Sequence, residues 1–194
     1  MVRKIFVLSG VLACMAFPAY AEEHRQLGAH VHGHGHLNIA IEGKTVSIEL
    51  EVPGADIVGF EHEASTPTQR AAIKKAKAKL ATGLLLFAPE AAANCVQKSA
   101  KVSIEAEHGD EHEHHAEGGK PDANEDGEGH HHSEFHAEFA FECASPSRLT
   151  SMTFDYFKAF ANAQELDVSF ISPKGQSSYE VKRDKPRLDL TGMM

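Results

Sequence analysis

The chain has 194 residues, 42% hydrophobic and 24% charged, with a net charge of −9 and 14 histidines. That balance supports an ordinary apolar core and excludes a fibrous or wholly disordered chain. The negative charge speaks against nucleic acid, which a polyanion repels, and the excess of imidazole points to metal.

The chain opens MVRKIFVLSGVLACMAFPAYA, with Arg3 and Lys4, an apolar run from Ile5 to Phe17, and then Ala19-Tyr20-Ala21. A charged start, a short apolar stretch and an A-x-A ending form an export signal. Residues 1–21 are therefore expected to be removed, and the mature chain to begin at Glu22. Lipidation at Cys14, within Val11-Leu12-Ala13-Cys14, is the rival reading. No other stretch supplies the roughly 20 apolar residues that a membrane-spanning helix requires, so the mature form is expected to have no membrane span. Export leaves Cys95 and Cys143 in an oxidising compartment. A disulfide is the first expectation for such a pair, and thiolate ligation of a soft metal the alternative.

Residues 22–36 read as a His-rich arm ending in HVHGHGH. His30, His32, His34 and His36 alternate, so a strand would set all four rings on one face, neighbours roughly 7 Å apart. Gly33 and Gly35 let such a backbone bend until two rings meet on one ion. Cleavage after Ala21 would also expose Glu22-Glu23-His24. A free amine, two amides and the His24 imidazole make a square-planar chelate that suits Cu²⁺ or Ni²⁺.

A first lobe is expected over 37–107. Leu37, Ile39 and Ile41, then Val46, Ile48, Leu50 and Val52, alternate across Glu42-Gly43-Lys44 as a β-hairpin with one buried face. Gly59-Phe60-Glu61-His62-Glu63 follows, and Glu61 and His62 are candidate ligands. Thr66-Pro67-Thr68-Gln69 is a capping box with proline at the first helical position. It predicts a helix to about Ala81 that stops at Gly83, with Ile73, Ala76 and Leu80 inward. A strand is expected from Lys101 to Glu107.

Residues 108–132 hold seven histidines, eight acids and one lysine, and no large apolar side chain. Such a segment cannot offset the entropy of ordering and is expected to be a disordered, mobile loop. Its charge of −7 is most of the chain's −9. The clusters His112, His114, His115 and His130, His131, His132 suit the capture of several ions in many weakly defined ways.

A second lobe is expected over 133–194. Phe135, Ala137, Phe139, Phe141 and Cys143 alternate as a strand that turns His136 to the opposite side. Ser145-Pro146 reads as a second helix start, with Leu149, Met152, Tyr156, Phe157 and Phe160 on its buried side. Leu166 to Ser172, Ser178 to Lys182 and Arg187 to Leu190 read as strands, the first two separated by a Pro173-Lys174-Gly175 turn. The expected fold is α+β: two pseudo-repeated lobes of antiparallel strands, each with one main helix, tied by Cys95–Cys143.

Imidazoles and carboxylates without thiolates select borderline divalent cations, with zinc first on abundance. A zinc hydrolase usually shows H-E-x-x-H, and neither that nor G-x-S-x-G, a P-loop or a dinucleotide-binding glycine motif occurs. A binding protein with no catalytic residues is the expectation.

Several stretches together resemble a known family: HVHGHGHLNIAIEG, ELEVPGADIVGFEHEA, TPTQRAAI, LFAPEAAANC, the His-rich insert, FHAEFAFECASPSRL and PKGQ. They are similar to the ZrgA-like zinc-regulated periplasmic proteins over nearly the whole mature chain. The resemblance implies a periplasmic protein of two pseudo-symmetric lobes that binds Zn²⁺ and is made under zinc limitation. It also implies a partner in uptake, a zinc ABC importer or its solute-binding protein. Asp56 departs from the asparagine that the resemblance leads one to expect there. The choice of His62, His136 and the row from His30 to His36 rests on the residues themselves. Copper or nickel sequestration is the alternative function.

Overall fold

The structure, a computed structural model, describes residues 31–106 and 132–194. The export segment, His24, His30 and the insert histidines His112, His114, His115, His130 and His131 lie outside the described residues.

The predicted hairpin is β1 (His34–Glu42) and β2 (Thr45–Pro53), turning at Gly43 with a φ of 58°. Its alternation buries Leu37, Ile39, Ile41, Val46, Ile48, Leu50 and Val52 on one face and leaves the other polar, as an antiparallel sheet with one solvated side requires. Pro53 leads into a short helix, α1 (Gly54–Val58), followed by α2 (Pro67–Leu80), α3 (Gly83–Leu86) and β3 (Phe87–Pro89). The capping box at α2 forms as expected: Thr66 Oγ1 accepts from Gln69 N–H at 3.2 Å, and Gln69 Oε1 accepts from Thr66 N–H at 3.0 Å.

A 3₁₀ turn (Ala91–Ala93) leads into β4 (Cys95–Ala106), and beyond the insert comes β5 (Ser133–Cys143). Cys95 and Cys143 are directly paired across these strands and form the expected disulfide. Next come β6 (Ser151–Phe154), α4 (Tyr156–Ala159), β7 (Glu165–Ser172), β8 (Gly175–Lys182) and β9 (Arg187–Asp189).

The fold is α+β and dominated by sheet. Six strands, drawn from both sides of the insert, form one sheet in the order β4-β5-β2-β1-β7-β8, and three short ones form a second, β3-β6-β9. Among the described strands β1 and β7 alone pair in parallel. Their first residues therefore sit at the same end of the large sheet, beside the last residues of β2.

The second half lacks the long helix expected from Ser145-Pro146. A 3₁₀ turn (Pro146–Arg148) stands there instead, followed by β6 and the four-residue α4. Leu149, Met152, Tyr156, Phe157 and Phe160 are buried as predicted, but so are Ser151 and Phe154, which no single helical stripe includes. The segment Ser151–Phe154 finds backbone partners in β3 and β9, and such tertiary pairing overrides a helical period.

The core centres on aromatic rings. Phe87 lies 5.8 Å from Phe139, 5.7 Å from Phe154 and 5.8 Å from Tyr156, centroid to centroid. Burying each such side chain stabilises the fold by roughly 1.5–3 kcal/mol before entropy is counted. A Cβ at Gly83 would fall 2.3 Å from the Phe139 ring, so only glycine lets α3 rest on it. Among the described residues no helix is long and apolar enough to cross a membrane.

Candidate metal centre

Three connections converge where β1 and β7 begin and β2 ends. Gly33, with a φ of 88°, turns the chain into β1. Its carbonyl accepts from Gln164 N–H at 2.8 Å and Glu165 N–H at 2.9 Å, at the mouth of β7. Its own N–H donates to Asp56 Oδ1 on α1 at 2.8 Å. Asn162 Nδ2 donates to Ala55 O at 2.9 Å, joining the connection before β7 to α1.

Arg183, just past β8, holds that connection in place. Its guanidinium donates to the carbonyls of Ala163 at 2.9 Å, Phe157 at 2.7 Å, Phe160 at 2.6 Å and Ala161 at 2.9 Å. A planar fork of donors suits such a set of carbonyls better than an ammonium would.

Glu61 sits on this frame with only 12% of its side chain exposed. His132 Nδ1 donates to its Oε2 at 2.6 Å. His32 Nε2 approaches Oε1 at 3.1 Å, at ion-pair distance but off hydrogen-bond geometry, so that buried oxygen has no hydrogen-bond partner. Burial works against ionisation of Glu61, but the contacts from His132 and His32 outweigh it and hold the carboxyl below its ordinary value. Glu61 is thus an ionised, shielded carboxylate between two imidazoles. One imidazole comes from the His-rich arm and the other from the last residue of the insert.

Asp56 lies behind this pair, 3% exposed, with Oδ2 buried and lacking a hydrogen-bond partner. Burial raises its carboxyl above the ordinary value, more than the Gly33 hydrogen bond and the charges of His32 and His34 lower it; the charge of Glu61 adds to the rise. A nearby cation offsets the cost of burying such a group.

The remaining candidates go elsewhere. His62 turns away from Glu61: its Nδ1 donates to Glu63 O at 2.9 Å, Gln69 Nε2 lies 3.3 Å from its Nε2, and its ring stacks on Phe60 at 5.1 Å. The four-ring row of the arm is broken at Gly33, which directs His32 to Glu61 while His34 and His36 stand on β1 facing solvent. Gly35 serves packing instead of bending, since a Cβ there would lie 2.3 Å from Val52 Cγ1.

His36 and His136 lie in one row across the exposed face. The pairings run Ser103, His136, Glu51, His36, Asp167, Glu180, from β4 to β8. His136 Nε2 is 3.0 Å from Glu134 Oε2 and 3.8 Å from Glu105 Oε2, and its Nδ1 is 3.8 Å from Glu51 Oε1. The hydrogen bond that His136 donates to Glu134 raises the His136 pKa above its ordinary value against the effect of burial, helped by the charges of Glu134, Glu105 and Glu51. His36 Nδ1 lies 4.0 Å from Asp167 Oδ2. Glu165, Asp167 and Glu180 also draw close together, but Lys182 Nζ already pairs with Glu165 at 3.1 Å and Glu180 at 3.3 Å.

Sequence reasoning missed Asp56, Glu51 and Glu134 as members of these groups. Asp56 carried a readable signal, an acid set among Ala55, Ile57 and Val58; the two glutamates looked like any solvated strand position. A family model described as ZrgA family zinc uptake protein matches residues 29–190. Comparison with curated proteins gave no match.

Proposed function

The chain belongs to the ZrgA family of zinc uptake proteins, and from that premise we propose that it captures Zn²⁺ in the periplasm and holds it at Glu61 for delivery to an uptake system. The carrying observation is the shielded Glu61 carboxylate, which meets His32 at 3.1 Å and His132 at 2.6 Å. Two imidazole nitrogens and a carboxylate oxygen are a fitting zinc ligand set, leaving a position open for exchange. Asp56 supplies negative charge behind it.

The arrangement also gives the His-rich segments a role. The insert leaves β4 at Ala106 and returns at His132, and the arm enters β1 through His32. Both segments therefore end at Glu61, so an ion gathered loosely by either can pass to the firmer site without leaving the protein. Export by the N-terminal signal places the chain where such cargo arrives, and the disulfide suits that compartment. Protons compete with the metal for its ligands, so acid should release it.

Calorimetric titration of the mature chain with Zn²⁺ tests this reading. Glu61→Gln, and the pair His32→Ala with His132→Ala, should weaken the tightest binding event at least about tenfold. An unchanged tightest event in Glu61→Gln would overturn it.

A further inference from the structure

We propose that the outer face of the large sheet carries a second zinc site, formed by His36, Glu51 and His136 on three adjacent strands and backed by Glu134. It shares no residue with the site at Glu61.

The register brings these residues together. His36 on β1 pairs with Glu51 on β2, and Glu51 pairs with His136 on β5. With strands about 4.8 Å apart, the two histidine backbones stand roughly 10 Å from each other with Glu51 between them. All three side chains leave the same face, so both rings can lean over the central carboxylate. Strand ladders hold that spacing more rigidly than a loop would.

His136 is already oriented for ligation. Its Nε2 is engaged 3.0 Å from Glu134 Oε2, and the Glu134 side chain is only 7% exposed. A carboxylate on one ring nitrogen fixes the tautomer with the proton there and leaves the lone pair on the other, the pattern found behind metal-bound histidines. That other nitrogen, Nδ1, faces Glu51 Oε1 at 3.8 Å. Glu105 adds a third carboxylate at 3.8 Å from Nε2. Three carboxylates around a single imidazole favour a divalent cation, and imidazole nitrogen with carboxylate oxygen favours zinc over calcium or magnesium.

The site is separate from Glu61 along β5. His132 and His136 are four residues apart, roughly 13 Å on an extended strand. Asp167, beyond His36 in the same row, is a further carboxylate within reach of the His36 ring.

Long-range ¹H–¹⁵N spectra of the imidazoles, recorded on the mature chain during titration with Zn²⁺, separate this site from the first. The His136 Nδ1 and His36 ring signals should shift saturably in wild type and equally in Glu61→Gln. In Glu51→Gln the His136 shift should be lost, and in His36→Gln, an exposed position that leaves folding intact, it should saturate at zinc concentrations at least tenfold higher. A His136 signal that stays unmoved up to zinc concentrations a hundredfold above those that fill the Glu61 site overturns the proposal. So does one that moves equally in wild type, Glu51→Gln and His36→Gln.

Discussion

The end of the large sheet and the middle of its outer face both gather histidine and carboxylate, but by different means. At the end, His32, Glu61 and His132 belong to connecting segments, and backbone clamps through Gly33, Asp56, Asn162 and Arg183 bring those segments together. On the face, His36, Glu51 and His136 belong to strands, and the hydrogen-bonded ladder alone sets their spacing. The first arrangement yields a shielded carboxylate, the second a shallow row. Burial thus comes from loops folded over the end of the sheet, whereas order comes from strand register.

The comparison breaks most sharply at Arg183. Arg183→Ala leaves four carbonyls without their donor and should cost about 3 kcal/mol in urea unfolding. In the folded fraction, zinc affinity at Glu61 should fall while the zinc-induced shift of His136 survives. Gly35→Ala should cost about 2 kcal/mol, because its Cβ collides with Val52 in a packed interior. This change displaces β1 itself and should weaken zinc binding in both regions, read by the same titrations.

Asp56→Asn sharpens the contrast in the opposite direction. Because burial raises the Asp56 pKa, between the ordinary carboxylate value and the raised one the folded chain keeps a proton that the unfolded chain has lost. Stability therefore falls as pH rises through that window and stays lower above it. Asparagine cannot ionise and still accepts the Gly33 N–H. The variant should be about 1 kcal/mol more stable at neutral pH and should lose that decline, as thermal unfolding between about pH 4 and 7 would show. The row on the face should not respond.

Much of the fold was legible in local pattern. Alternation identified β1, β2 and β5 and named their buried residues, and the Thr66–Gln69 box marked the start of α2. It failed at Ser151–Phe154, where apolar residues spaced for a helix are pulled into a strand by β3 and β9. For the site, composition singled out histidine and placed His32, Glu61, His132, His36 and His136 among the candidates. It also grouped His62 with Glu61, although neighbouring residues on an extended segment face apart.

Residue chemistry along the chain determined which cations its side chains suit, the borderline divalent metals, because donor type is a property of side chains wherever they lie. The same holds for its alternating strands, since a period of two needs only the local backbone. Which donors meet was decided by tertiary structure alone. The parallel pairing of β1 with β7 sets Gly33 against Gln164, and the antiparallel ladder of β2 with β5 sets Glu51 against His136. Both depend on contacts between residues far apart in the chain, whose packing no local pattern encodes.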